Sequence, residues 1–188
     1  MDEREFGEHV AQVVINGIQA GKTVEIDGLG TFFPDRERFF RFEPKGLPQV
    51  FIAYVAEDRA LAERLYDTLA AEGFGPWMDT RKLLPGQNWP RAIEAAIEGS
   101  EFFVACFSPN SVGKKGGFQA EIRYALDCAR QLPLDQIFIA PVRLGDCAVP
   151  RTIRREYQHV DLLPDWQRGT RQLVAMMRRE LASRAAER

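Results

Sequence analysis

Hydrophobic positions follow two regimes along the chain. From Val50 onward, short apolar runs alternate with segments whose apolar residues recur every three or four positions. Val50–Tyr54, Phe74–Met78, the unbroken run Phe102–Phe107, and Gln136–Val142 read as strands, with His159–Leu162 a short fifth. An uninterrupted apolar run such as Phe102–Phe107 suits a central strand covered on both faces. Between these runs the spacing is helical. Asp58 is expected to cap a helix by accepting orphan backbone N–H groups; Leu61, Leu65 and Leu69 form its apolar stripe, and Gly73 closes it. Asn88 caps a second helix with Pro90 in its first turn, Trp89 as packing anchor, Ile93 and Ile97 facing inward, and Gly99 at its end. A third helix is predicted from Phe118 to about Arg130. A last one runs from Trp166 to about Ala182, with Leu173, Met177 and Leu181 inside. Alternation of this kind implies a parallel sheet with helices on both faces.

Residues 1–48 have a different pattern. Phe6, Val10, Val13, Val14 and Ile18 line one side of a helix ending at Gly21. Thr23–Ile26 and Thr31–Phe33 flank Asp27-Gly28-Leu29-Gly30, which is hairpin chemistry. Arg38–Phe42 reads as a further strand, and Pro44, Gly46 and Pro48 form a short stiff linker. The expected organisation is a small α+β helix–hairpin module over 1–48 and an α/β domain over 49–188.

Composition narrows the function classes. The chain has 188 residues and a formal net charge of -2, which gives no whole-chain case for nucleic acid or an anionic membrane. No apolar run approaches the roughly 20 residues of a membrane span, and the acidic start Met1–Glu5 lacks a signal-peptide core. Cys106, Cys128 and Cys147 are odd in number and widely spaced, against a disulfide framework or zinc site, so they read as small hydrophobes and the cytoplasm as the compartment. His9 and His159 have no nucleophile or metal partner nearby in sequence, and no metal or bound cofactor is expected. Arg178, Arg179, Arg184 and Arg188 read as a solvated helix face.

Familiar nucleotide motifs are absent. Gly21-Lys22-Thr23 mimics the end of a P-loop, but the required first glycine is Asn16. Gly28-Leu29-Gly30 leads into Thr31-Phe32-Phe33 rather than into a third glycine opening a helix. Glu57 and Asp58 would repel a phosphate after the first strand. A receiver-type acceptor aspartate would end the third strand, which instead ends Cys106-Phe107-Ser108.

Four stretches together resemble one family: Val50–Arg59, Trp77–Trp89, Phe107–Val112 and Phe118–Ile122. In this order and spacing, from Gln49 to Leu181, the chain resembles a bacterial Toll/interleukin-1 receptor (TIR) domain. The resemblance implies a five-stranded flavodoxin-like parallel sheet with helices on both faces. It also implies cleavage of the nicotinamide–ribose bond of NAD by one glutamate on the third helix, here Glu121. Tyr54 and Val55 match positions on the nicotinamide side, and Trp77 a position that contacts ribose or base. Asp79, Arg81, Lys82, Ser108, Asn110 and Phe118 complete the implied substrate-binding set. Asp79–Gly86 matches a loop that reaches a neighbouring subunit, so NAD and further copies of the chain are the expected partners. The family usually has an aromatic four residues before the glutamate; this chain has Gly117 there, with Phe118 one residue late.

The chemistry needs only one carboxylate. Nicotinamide leaves as a neutral base, so no general acid is required, and the oxocarbenium-like transition state is stabilised by a negative charge beside the ribose. An acid in the first turn of a helix is also favoured by the helix dipole, by about 0.3–1 kcal/mol. The residue pattern alone therefore leaves Glu121 a structural alternative. Lys114 and Lys115, like Arg81 and Lys82, have the charge to attract a pyrophosphate but equally suit surface loops. Two other functions stay open: a non-catalytic TIR–TIR interaction module, and a nucleotide N-glycosidase or deoxyribosyltransferase. Hydrolysed and cyclised ADP-ribose are both open as products, as are roles in bacterial immunity and in interference with host signalling.

Gly21–Phe32 resembles the helix-to-hairpin junction of HU-type histone-like proteins over about 30 residues. That resemblance implies dimerisation. DNA binding is not expected, because acids outnumber bases in the segment and the basic footprint for phosphate contacts is missing.

Overall fold

A computed structural model describes residues 3–26, 30–35, 39–44, 46–79 and 88–186. The chain divides into two compact units, Met1–Leu47 and Pro48–Arg188.

In the first unit, α1 (Glu3–Gln19) precedes β1 (Val24–Ile26), β2 (Gly30–Asp35) and β3 (Phe39–Pro44). The strands form an antiparallel meander in the order β1-β2-β3, with Val24 opposite Phe32 and Phe32 opposite Phe42. The Asp27–Leu29 turn lies outside the described residues, but the strands flanking it pair as hairpin chemistry requires. Val14 and Ile18 are buried, whereas Val13 is 48% exposed. The apolar stripe of α1 is thus narrower than its sequence suggests, because position 13 sits about 100° around the helix from position 14. The side chains of Phe6 and Val10 lie outside the described set.

The second unit is built on β4 (Gln49–Ala53), β5 (Gly75–Trp77), β6 (Phe102–Phe107), β7 (Ile139–Arg143) and β8 (Val160–Asp161). They form one parallel sheet in the order β5-β4-β6-β7-β8. This is the flavodoxin-like arrangement. Every residue of the central strand β6 is buried, as its unbroken apolar run requires. The two edge strands are short, and Pro76 occupies the β5 edge, where its missing N–H removes no interior ladder bond.

Helices cover both faces. On one, α2 (Arg59–Ala71) and α6 (Trp166–Ala186) bring Leu65, Leu69, Leu173 and Met177 against Val50, Ile52 and Val104. On the other, α3 (Trp89–Glu98), α4 (Gly117–Ala129) and α5 (Arg151–Glu156) bring Ile97, Ile122 and Ile153 against Phe51, Phe103 and Phe107. Each fully buried side chain of this size contributes roughly 1.5–3 kcal/mol relative to exposure.

The local signals act largely as their chemistry dictates. Gly73 has φ 84° and ends α2 in a Schellman turn. Phe74 N–H donates to Leu69 C=O and Gly73 N–H to Ala70 C=O, both at 3.1 Å. The Asn88 side chain accepts from Arg91 N–H at 3.3 Å and caps α3. Four expectations fail. Trp89 is 63% exposed and anchors no packing. Asp58 makes no side-chain cap bond to α2, because its carboxylate is engaged elsewhere. Arg184 is no solvated tail residue: it donates to Glu180 at 2.8 Å and to Ile137 C=O at 2.7 Å and lies over the Phe102 ring. Cys128 and Cys147 are only partly buried, unlike Cys106. Helix α5 is an addition, since its six polar-rich residues carry no clear period. Among the described residues, no helix is long and apolar enough to cross a membrane.

Candidate functional site

The carboxyl ends of β4, β5 and β6 and the start of α4 converge at one edge of the sheet, where open parallel sheets bind ligands. Tyr54 follows β4, and its hydroxyl donates to Asp79 Oδ1 at 2.7 Å. Asp79 follows β5. Trp77, half-buried on β5, stacks on Phe51 at 4.8 Å between ring centres and 17° between planes. Phe51 in turn stacks on Phe103 at 5.4 Å. Three neighbouring strands thus carry a tier of aromatic rings that fixes the plane of the Trp77 indole.

Glu121 is the fifth residue of α4, which begins at Gly117. It therefore lies beyond the first turn, where the helix dipole is felt, so a dipole-stabilising role does not account for it. Its environment acts the other way. Burial, and secondarily the negative charge of Asp79, push the Glu121 carboxyl up to about 8. A carboxyl held largely protonated at neutral pH beside a second acid has the perturbation associated with functional groups. A cationic group entering next to it would favour the carboxylate and release the proton.

Gly117 forms the wall beside this carboxyl. A Cβ placed there would meet only Glu121 Oε1, at 4.0 Å, so the space in front of Glu121 is open at that position. The preceding Gly116 has φ 126°, a conformation that side-chain-bearing residues rarely adopt.

Several residues proposed for substrate binding are engaged in the framework instead. Phe118 is 7% exposed and packs edge-on against Phe107 at 5.8 Å, so it presents no ring face to a ligand. Val55 is 4% exposed and belongs to the same core cluster. Ser108 and Asn110 are turned to another task. Ser108 Oγ donates to Asp58 Oδ2, and Asn110 Nδ2 donates to Asp58 Oδ1 at 2.7 Å. Arg81 and Lys82 lie outside the described residues. Lys114 is paired with Glu57. The structure therefore gathers Tyr54, Asp79 and Glu121, with Trp77 on the same sheet edge, and assigns Val55, Phe118, Ser108 and Asn110 to its framework. Among the described residues, no group of three or more His, Cys, Asp or Glu is arranged to hold a metal ion.

Sequence reasoning missed the role of Asp58. A signal for it existed. Strands β4 and β6 are neighbours, so an acid just past β4 and the donors of Ser108-Pro109-Asn110-Ser111 just past β6 meet at the same level of the sheet.

A family model described as the TIR domain matches residues 50–174. The uncharacterised protein y4cD of Sinorhizobium fredii is 26% identical over 124 residues, covering 63% of this chain and 18% of that protein. This chain thus spans less than a fifth of that relative's length. Among solved structures, the TIR domain of the Toll-related receptor TRR-2 from Hydra magnipapillata superposes with a TM-score of 0.57 at 23% identity, covering 69% of this chain and 97% of that one. A metazoan TIR-STING receptor from C. gigas, in complex with 2',3'-cGAMP, gives 0.58 at 25% identity, covering 68% and 38%. The family match begins at residue 50 and does not extend to the HU-like segment.

Proposed function

Because this chain belongs to the TIR domain family through residues 50–174, we propose that it cleaves the nicotinamide–ribose bond of NAD, with Glu121 as the catalytic carboxylate. The observation that carries this reading is the partly buried Glu121 carboxyl at the carboxyl end of the sheet, pushed up to about 8 by desolvation and by the charge of Asp79. Nicotinamide in NAD carries a positive charge on its ring nitrogen. Its arrival would favour the ionised form of Glu121, which gives its proton to solvent and leaves a carboxylate against the ribose. The C1'–N bond then breaks with its electron pair going to the ring nitrogen, which releases neutral nicotinamide. Positive charge develops on the ribose, and the fixed Glu121 carboxylate stabilises it. Water or a hydroxyl of the product then adds at C1' and gives up a proton, yielding ADP-ribose or a cyclised form.

Tyr54 holds Asp79, which adds negative potential beside Glu121, and Trp77 offers a fixed indole edge to the ribose or base. Self-association through TIR–TIR contacts and the Asp79–Gly86 loop would complete or regulate the site, and the N-terminal unit would contribute by pairing with another copy. The open wall at Gly117 favours one alternative, a TIR module that works through association without turnover. A panel in which the protein at high concentration is given NAD, its reduced form, and pyrimidine nucleotides, whose base is uncharged, separates the readings. Release of base from NAD alone supports the proposal. Release from pyrimidine nucleotides alone points to a different N-glycosidase, and association without any release points to the interaction module.

A further inference from the structure

We propose that Asp58 is a positioning residue for Glu121, acting through a buried strap that ties the start of α2 to the segment leading into α4. This inference rests on the assignment of Glu121 as the catalytic carboxylate.

Asp58 is a 5% exposed carboxylate in the 3-10 turn Ala56–Asp58 between β4 and α2. Both of its oxygens are engaged from across the sheet, by Ser108 Oγ and by Asn110 Nδ2 at 2.7 Å. Ser108 then organises its own loop. Its Oγ accepts from Asn110 N–H at 3.0 Å and Ser111 N–H at 3.2 Å. Its backbone N–H donates to Ser111 Oγ at 2.8 Å, and Ser111 Oγ donates back to Ser108 C=O at 3.0 Å. Ser108 and Ser111 are 2% and 1% exposed, so these bonds form out of water, where an unsatisfied partner is costly. A surface pair, Lys114 with Glu57, crosses the same junction further along.

The geometry has a direct consequence. The strap fixes residues 108–114, and only Lys115 and Gly116 separate that segment from the first residue of α4. Glu121 stands one turn further on. The depth at which its carboxyl is held beside Asp79 thus depends on where the loop is anchored, and the anchor is Asp58. Asp58 and Ser108 are buried and bonded to each other, so their effect on chemistry passes through Glu121.

Asp58→Asn tests this, because it keeps the shape but turns one acceptor oxygen into a donor group that faces a donor. Asn110→Ala removes a single strand of the strap and serves where Asp58→Asn fails to fold. Glu121 is followed by 13C NMR of glutamate-labelled protein through a pH titration, with far-UV circular dichroism to confirm the fold. The wild-type Glu121 midpoint is expected near 8 and should fall by at least one pH unit in either folded variant, as the carboxyl becomes better hydrated. On NAD, kcat should fall about 10- to 100-fold with KM within about threefold, the pattern of a misplaced catalytic group. A Glu121 midpoint unmoved in the folded variants, or an ordinary carboxylate midpoint in the wild type, overturns the proposal. The titration does not require turnover. If wild-type protein cleaves no NAD, the catalytic reading fails while the midpoint still decides whether Asp58 positions Glu121.

Discussion

The Tyr54 hydroxyl donates to the Asp79 carboxylate at 2.7 Å, joining the segments that leave two adjacent strands. This bond orients an acid whose charge is felt by Glu121 on α4. Three elements distant in sequence thereby share one electrostatic unit. Tyr54→Phe removes the donor and keeps the ring. The fold should survive, and kcat/KM for NAD should fall about tenfold or more, since a hydrogen bond to a charged group is worth about 1.5–3 kcal/mol. Steady-state kinetics alongside thermal unfolding of the same variant checks this.

The raised Glu121 carboxyl has a consequence for pH. Its folded pKa of about 8 exceeds the ordinary glutamate value of about 4.3. The folded state therefore binds more protons than the unfolded state between those two values, and stability falls as pH rises through that window. The contribution is fully present below the unfolded pKa and lost once pH passes about 8. Glu121→Gln abolishes this dependence. The variant should match wild type near pH 4 and exceed it at pH 9 by up to a few kcal/mol, read from urea unfolding at both pH values. In catalysis the sign is reversed. The carboxylate is the active form, so kcat/KM should rise toward a plateau with a midpoint near 8. In kcat the midpoint should lie lower, because bound cationic nicotinamide favours ionisation.

Gly117 offers a gain-of-function test. A Cβ there would meet only Glu121 Oε1, at 4.0 Å, and the position is helical. Gly117→Trp restores the aromatic that TIR enzymes usually carry four residues before the glutamate. Stacking on a base is worth about 1–3 kcal/mol, so KM for NAD should drop at least about fivefold. An unchanged or higher KM would show that the cleft is shaped for a different ligand arrangement.

Arg184 and Glu180 make a framework prediction away from the site. Glu180 accepts from Ile137 N–H at 3.1 Å, and Arg184 donates to Ile137 C=O at 2.7 Å. The pair thereby closes the entry to β7 with two largely buried charges. Arg184→Ala would leave Glu180 and the Ile137 carbonyl without these partners. A loss of about 2–4 kcal/mol is expected, with little change in kcat for the folded fraction.

The sheet, the longer helices, the Gly73 stop and the Asn88 cap were legible in the sequence because they follow from periodicity and from local chemistry. Phe102–Phe107, Gly73 and Asn88 each act within a few residues of themselves. Other outcomes depended on contacts distant in sequence. Asp58 looks like a helix cap when read along the chain, and only the adjacency of β4 and β6 brings Ser108 and Asn110 to it. Phe118 looks like a cleft aromatic, but in a helix that starts at Gly117 its ring turns toward Phe107. Trp89 looks like an anchor, yet the face of α3 that carries Ile97 points elsewhere. Glu121 is reached through resemblance, and its distinguishing property, a partly buried carboxyl whose pKa another acid helps to raise, comes from the fold.

The central claim is that Glu121 makes this TIR domain an NAD-cleaving enzyme. The most direct measurement is a time course of free nicotinamide, with product identification, from wild-type protein and Glu121→Gln at high protein concentration. Nicotinamide released by wild type, and reduced at least about a thousandfold in a folded Glu121→Gln variant, is the expected result. No release from wild type, or equal release from both proteins, would contradict it.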